Sequence, residues 1–177
     1  IAASAGALAW MACEWIKFGK PSGLGIVTGV IAGLGTITGA AGVVGPAGAL
    51  LIGLMAGVIC FFMTQLIKKK LQIDDSLDVF PVHGVGGILG TFLAGIFCSP
   101  DLGIFSGFGY ASGHDSMGSQ LSIQVLGIVV ITLYTAALTW ILLKVTALIT
   151  GGLRVSEDAE REGLDLVSHE ERGYDIK

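Results

Sequence analysis

Apolar residues fill this chain in long blocks broken by short polar turns, and the blocks set the expected elements. Four of them, Gly23 to Val44, Ala47 to Ile67, Val79 to Cys98 and Leu121 to Leu143, reach the roughly 20 residues that an α-helix needs to cross a bilayer. A fifth, Ile1 to Ile16, is shorter and begins without an initiator methionine, so it is expected to be the end of a helix that starts upstream. It lacks a basic n-region and keeps Glu14 inside the block, unlike a secretory signal. Turns such as KFGKPSG and VVGPAG use Pro and Gly to stop one helix and admit the next. The pattern predicts an all-α, polytopic transmembrane bundle over residues 1–151, with spans at about 1–16, 23–44, 47–67, 79–98 and 121–143, and a polar tail over 152–177.

Glycines repeat at four-residue spacing at Gly25, Gly29 and Gly33, at Gly53 and Gly57, and at Gly86 and Gly90. Such stripes lie on single helix faces and let helices approach closely, which in lipid is how dispersion contacts are gained. No glycine string has the strand-turn-helix setting of a dinucleotide loop.

Composition agrees with a membrane class: 53% of residues are hydrophobic and 14% charged, with a mean hydropathy of +0.79. The net charge of -4 says less than where the charge falls. If the spans alternate, every Lys and Arg lies on one side: Lys17 and Lys20 in the first turn, Lys68, Lys69 and Lys70 in the third, Lys144 to Lys177 at the end. The turn at Val44 to Pro46 and the long loop from Ser99 to Gln120 have none. The positive-inside rule then makes the basic side, and with it the C-terminus, cytoplasmic. The long loop faces outward, a Gly- and Ser-rich connector whose Phe and Tyr suit the headgroup region. In the tail, Ser156 is expected to cap a short helix with Glu157 and Asp158 in its first turn and Gly163 at its end.

Cys13, Cys60 and Cys98 fall at unlike depths and are expected to be packed thiols. No metal site is expected, because the one intramembrane histidine has no His, Cys or Glu at helical spacing. No nucleophile and base are paired within the spans, so no enzyme activity, cofactor or nucleic-acid partner is expected.

That histidine, His83, carries the candidate chemistry; His114 falls in the outer loop and His169 in the tail. An ionisable ring in a bilayer is costly and by default faces a bundle interior or a pore. Val79 lies one turn before it and Gly87 one turn after, a bare and apolar lining. A dry setting favours the uncharged ring, which both donates and accepts a hydrogen bond and so suits relaying a proton. Asp74, Asp75 and Asp78 open the same helix. Asp78 either complements the helix dipole or lines an inner vestibule, and the two are compatible. Pro81 removes a backbone donor and is expected to bend the entry.

Three motifs in order, EWIKFGKPSGLG, DDSLDVFPVHGVGGILG and GLRVSEDAEREGLDLVSHEERGY, resemble the ammonium transporter family, on its Amt/MEP side. The resemblance covers nearly the whole chain. It implies the last five of eleven helices, a cell-membrane homotrimer with one pore per subunit, ammonium or ammonia as substrate, and a PII-type regulatory protein at the cytoplasmic face. His83 resembles the second of two pore histidines, the inner half of a proton relay. Ile31 and Val79 resemble pore lining, while Thr28, Thr38 and Asp78 resemble the inner vestibule. Arg154, Glu160, Gly163, Asp165 and Tyr174 belong to the segment that resembles the regulatory tail. Two departures stand out: Gly39 follows Thr38 where the family commonly has Pro, and Pro81 stands where Gly commonly precedes Val-His. The family also contains ammonium sensors, so a membrane sensor signalling through its tail is the alternative.

Overall fold

A computed structural model describes residues 1–172. It divides into two compact units, Ile1–Val129 and the remainder from Val130.

The first unit is built around α1, Ala2–Phe18, which packs against both α2, Gly23–Ile37, and α3, Pro46–Gln65. The expected glycine stripes are the surfaces where these helices meet. A Cβ on Gly29 would stand 2.6 Å from Trp10 Cβ and 2.8 Å from the Gly6 carbonyl oxygen. One on Gly53 would stand 2.7 Å from Ala2 Cα, and one on Gly57 would stand 2.7 Å from Ala9 Cβ. Backbone meets backbone, so dispersion contacts do the work that hydrophobic burial does in water. Trp10 and Phe61 meet edge to face with ring centres 5.5 Å apart, within a core that includes Ala32, Cys60 and Val82. Cys13, Cys60 and Cys98 are free thiols.

Helix ends follow local chemistry. α1 stops at Gly19, whose φ of 80° puts it in the left-handed region and whose N–H donates to the Trp15 carbonyl at 2.9 Å. Ser22 caps α2 by accepting from Gly25 N–H at 2.9 Å. Glu14 ties the turn together: its carboxylate accepts from Ser22 N–H at 2.7 Å, Ser22 Oγ at 3.1 Å and Trp10 Nε1 at 3.4 Å. Pro46 starts α3, where its missing N–H costs nothing.

The expected span from Gly23 to Val44 is corrected: α2 ends at Ile37 and residues 38–43 form turns. The long loop that begins at Ser99 takes over the bonding there. Phe108 N–H donates to the Val43 carbonyl at 3.0 Å, and a Cβ on Gly45 would stand 2.7 Å from the Ser106 carbonyl oxygen. This loop is also bonded internally, Tyr110 hydroxyl to Ser99 Oγ at 2.8 Å and Ala111 N–H to Gln120 Oε1 at 2.9 Å. α3 runs on through a π-helical turn, Leu66–Lys70. After the polar loop that follows, a second π-helical turn, Phe80–Gly84, leads into α4, Val85–Phe97.

By length and composition, three helical stretches among the described residues suffice to cross a membrane: Pro46–Lys70, Phe80–Phe97 and Met117–Thr150. α2 is apolar but only 15 residues long. The last of the three, α5, begins and ends well outside the expected 121–143; its 34 residues span about 51 Å.

In the second unit the side chains of α5 over residues 130–150 are exposed, Ala147 in part. Then come α6, Glu157–Glu162, and α7, Leu164–His169. Ser156 Oγ accepts from Ala159 N–H at 3.3 Å, Glu157 and Asp158 occupy the first turn, and Gly163 with φ 101° ends the helix. Arg154 approaches Glu160 at 3.6 Å. Asp165 lies in the first turn of α7, and Tyr174 lies outside the described residues.

Candidate functional site

α4 is locked onto α2 by two glycines. A Cβ on Gly86 would stand 2.8 Å from Thr36 Oγ1, and one on Gly90 would collide with the Thr36 carbonyl. Thr36 is fully buried beneath them. Leu93 and Ala94 continue the buried stripe. Running that stripe backward with α-helical periodicity would carry Val79, Val82 and His83 onto the buried side.

The π turn alters this. It holds one residue more than an α turn for the same closure, so Pro81 and Val82 become the buried pair while Val79 (52% exposed) and His83 face outward. His83 lies along the seam with α2: a Cβ on Gly35 would stand 3.8 Å from its Nδ1. Gly35 therefore gives the ring its berth. Ile31 is on the open side of α2 one turn earlier, 40% exposed, and Gly87 has nothing within 4 Å of where a Cβ would sit. Further along, Thr91 Oγ1 stands 3.7 Å from a Cβ on Gly39. The structure thus leaves Ile31, Val79, His83 and Gly87 outside the buried core of the α2–α4 seam, apolar side chains and bare backbone beside one imidazole.

Other expected residues fall differently. Thr28 and Thr38 do not share a level. Gly35 faces His83, and Thr28 on α2 and Thr38 at its C-cap stand before and after it, about 15 Å apart along the axis. Their hydroxyls turn back on their own helix, to Leu24 O at 2.9 Å and Leu34 O at 2.7 Å, the habit of threonine in an apolar helix. Asp78, with φ 56°, is no free attractor of cations, because its carboxylate is 2.8 Å from Lys68 Nζ on the end of α3. The helix-opening carboxylate is Asp75, which accepts from Val79 N–H at 2.9 Å and Phe80 N–H at 2.8 Å. The cue was present in sequence, since Asp with Ser just ahead of an apolar run is a capping signature. His114, in the long loop before α5, pairs with Ser119 Oγ at 2.7 Å. His169 ends α7, exposed. Among the described residues no three His, Cys, Asp or Glu gather as a metal would require.

This apolar face carries one imidazole, with no carboxylate ion-paired to it among the described residues, and an imidazole ring can donate one hydrogen bond while accepting another.

Comparison with known proteins identifies the family. Residues 1–174 match the model of the Ammonium Transporter Family. An ammonium transporter of Aquifex aeolicus is 44% identical over 176 residues, covering 99% of this chain and 40% of the relative. Ammonium transporter Amt1 of Archaeoglobus fulgidus is 42% identical over 166 residues, covering 93% of this chain and 40% of the relative. The chain thus spans about two fifths of these relatives' length. Among solved structures, Mep2 of Saccharomyces cerevisiae superposes with a TM-score of 0.75 at 35% identity, covering 89% of this chain and 36% of that one. A structure described as a sensor Amt protein gives 0.82 at 28% identity, covering 94% and 39%. All-helical, multi-pass and apolar, with its three motifs in order, this chain belongs to the ammonium transporter family.

Proposed function

We propose that the open face of the α2–α4 seam is one wall of a path for ammonia, and that His83 relays the accompanying proton. The observation that carries this reading is the exposure of an imidazole on a face otherwise made of Ile31, Val79 and glycine backbone. Nothing about helix packing calls for that ring, since Pro81 and Val82 already fill the core beside it. Ammonium that enters such a dry passage sheds its proton, because a bare cation there has lost its hydration. Neutral ammonia then follows the apolar wall, while the ring nitrogens hand the proton along by donating at one and accepting at the other.

The rest of the assignment follows the family. The protein lies in the cell membrane as a homotrimer, and the bundle spans residues 1–151. Its inner end is marked by Lys17 and Lys69, whose ammonium groups both lie within 6 Å of the Phe18 ring, at 5.8 and 5.2 Å; lysines and aromatics at one end suit a cytoplasmic interface. The tail, residues 152–177, is cytoplasmic and meets a PII-type protein through the segment containing Arg154, Glu160, Gly163 and Asp165. A second reading, sensing without much flux, is favoured by the likeness to a sensor Amt protein.

The test is His83→Ala in the full-length protein reconstituted in liposomes, with ammonium-driven current recorded. Loss of most of the current supports the relay. Wild-type current in the variant refutes it. A wild-type protein that binds ammonium yet passes no current supports the sensor reading instead.

A further inference from the structure

Granting the role proposed for His83, we propose that Asp75 is its positioning residue: by seizing two backbone amides it forces the π turn that keeps the imidazole on the open face. The argument rests on an accounting of donors at the start of this helix, where the first N–H groups have no intrahelical partner. Asp78 N–H reaches the Asp75 carbonyl at 3.3 Å. Val79 and Phe80 N–H go to the two oxygens of the Asp75 carboxylate. Pro81 has no N–H to satisfy. Val82 N–H then finds Asp78 O at 3.0 Å, the first ordinary helical bond. One side chain therefore sets where the helix begins.

The other end is set independently by Gly86 and Gly90, which lie so close to Thr36 that a Cβ on either would meet it, so rotation that presents a side chain in their place is blocked. Between two anchored ends the chain has one residue too many for α geometry, and the surplus is absorbed at Phe80–Gly84, where Val85 N–H bonds Phe80 O instead of Pro81 O. Each residue of a π turn advances less about the axis than in an α turn, so His83 swings away from the buried stripe by roughly a few tens of degrees. Release of the Asp75 anchor lets the start slide, the turn relax to α, and His83 rotate toward the α2 packing surface. Lys68 steadies the anchor by holding both the Asp78 carboxylate, at 2.8 Å, and the Ser76 carbonyl, at 3.5 Å.

The experiment uses the full-length protein with its native cysteines replaced and a reporter cysteine introduced by His83→Cys or, separately, Thr91→Cys. Each reporter is combined with Asp75, Asp75→Asn and Asp75→Ala, and labelling by a small methanethiosulfonate is timed in liposomes. The expected result is that Asp75→Ala slows labelling at position 83 by roughly tenfold, since a thiol turned inward reacts only through local opening. Asp75→Asn, which keeps one acceptor oxygen, falls between. Labelling at position 91, beyond the glycine lock, stays unchanged. Equal rates at 83 in all three backgrounds overturn the proposal, as does equal slowing at 83 and 91, which is general misfolding. Should Asp75→Ala fail to assemble, the Asp75→Asn ratio of 83 to 91 decides alone. The His83→Ala current fails or succeeds separately from these rates, so an error in the relay reading is told apart from an error in the positioning.

Discussion

Gly90 offers the sharpest test of how α4 is held. A methyl group there would overlap the Thr36 carbonyl oxygen and lie 2.8 Å from Thr36 C and 3.1 Å from its Cα. These are backbone atoms of a fully buried residue, so no rotamer change relieves the clash and α4 must retreat from α2. Overpacking of this kind costs about 1–3 kcal/mol, and retreat also forfeits the dispersion contacts of Leu93 and Ala94, which pack with Ala40, Val44 and Ile52. Against this, replacing a mid-helix glycine by alanine gains about 1 kcal/mol of helix propensity. Three residues earlier, Gly87→Ala receives the same gain with nothing within 4 Å to resist it. The two variants therefore differ in sign: Gly87→Ala holds or raises stability, and Gly90→Ala lowers it by about 1–2 kcal/mol net. Thermal unfolding of the full-length protein in detergent, at one scan rate for both variants because membrane proteins unfold irreversibly, measures the difference. A Gly90→Ala variant as stable as Gly87→Ala would refute the close approach of α4 to α2, and with it the anchored end on which the π turn depends.

Two further variants probe the connections. Glu14→Ala removes the acceptor for Ser22 N–H, Ser22 Oγ and Trp10 Nε1, and is expected to destabilise by about 1–3 kcal/mol, seen as a lower midpoint in the same thermal assay; an unchanged midpoint would mean that water replaces the carboxylate at no cost. Ser156→Ala removes the cap on α6, whose Oγ accepts from Ala159 N–H, for about 0.5–1 kcal/mol; faster amide exchange at Ala159 with no change in the bundle is the expected readout.

Much of the molecule is legible in local chemistry. Hydropathy identified an all-helical membrane bundle, because backbone groups in lipid must bond within their own segment and only helices or closed barrels allow it. The four-residue glycine spacing predicted the packing faces, and Gly29, Gly53, Gly57, Gly86 and Gly90 all abut neighbouring helices. The tail cap at Ser156 and stop at Gly163 were readable for the same reason: both ends of a six-residue helix are decided within that stretch. His83 stood out because an ionisable ring in an apolar block is conspicuous in any arrangement.

What the residues could not announce is where neighbours compete for backbone groups. α2 stops at Ile37 although apolar residues continue, and in the turns that follow the long loop, sixty-odd residues downstream, bonds Val43 and crowds Gly45. Asp78 and Asp75 look interchangeable in DDSLD; only the approach of Lys68 from α3 claims the first and leaves the second to hold the helix. A stretch of apolar periodicity reads alike whether it closes after four residues or five, so the π turn at Phe80–Gly84 is invisible until both of its ends are anchored, one by a carboxylate and the other by glycines against Thr36. The chain thus declares by composition that His83 falls in a helical stretch long and apolar enough to cross a membrane, while the direction it faces is settled by contacts between segments far apart in sequence.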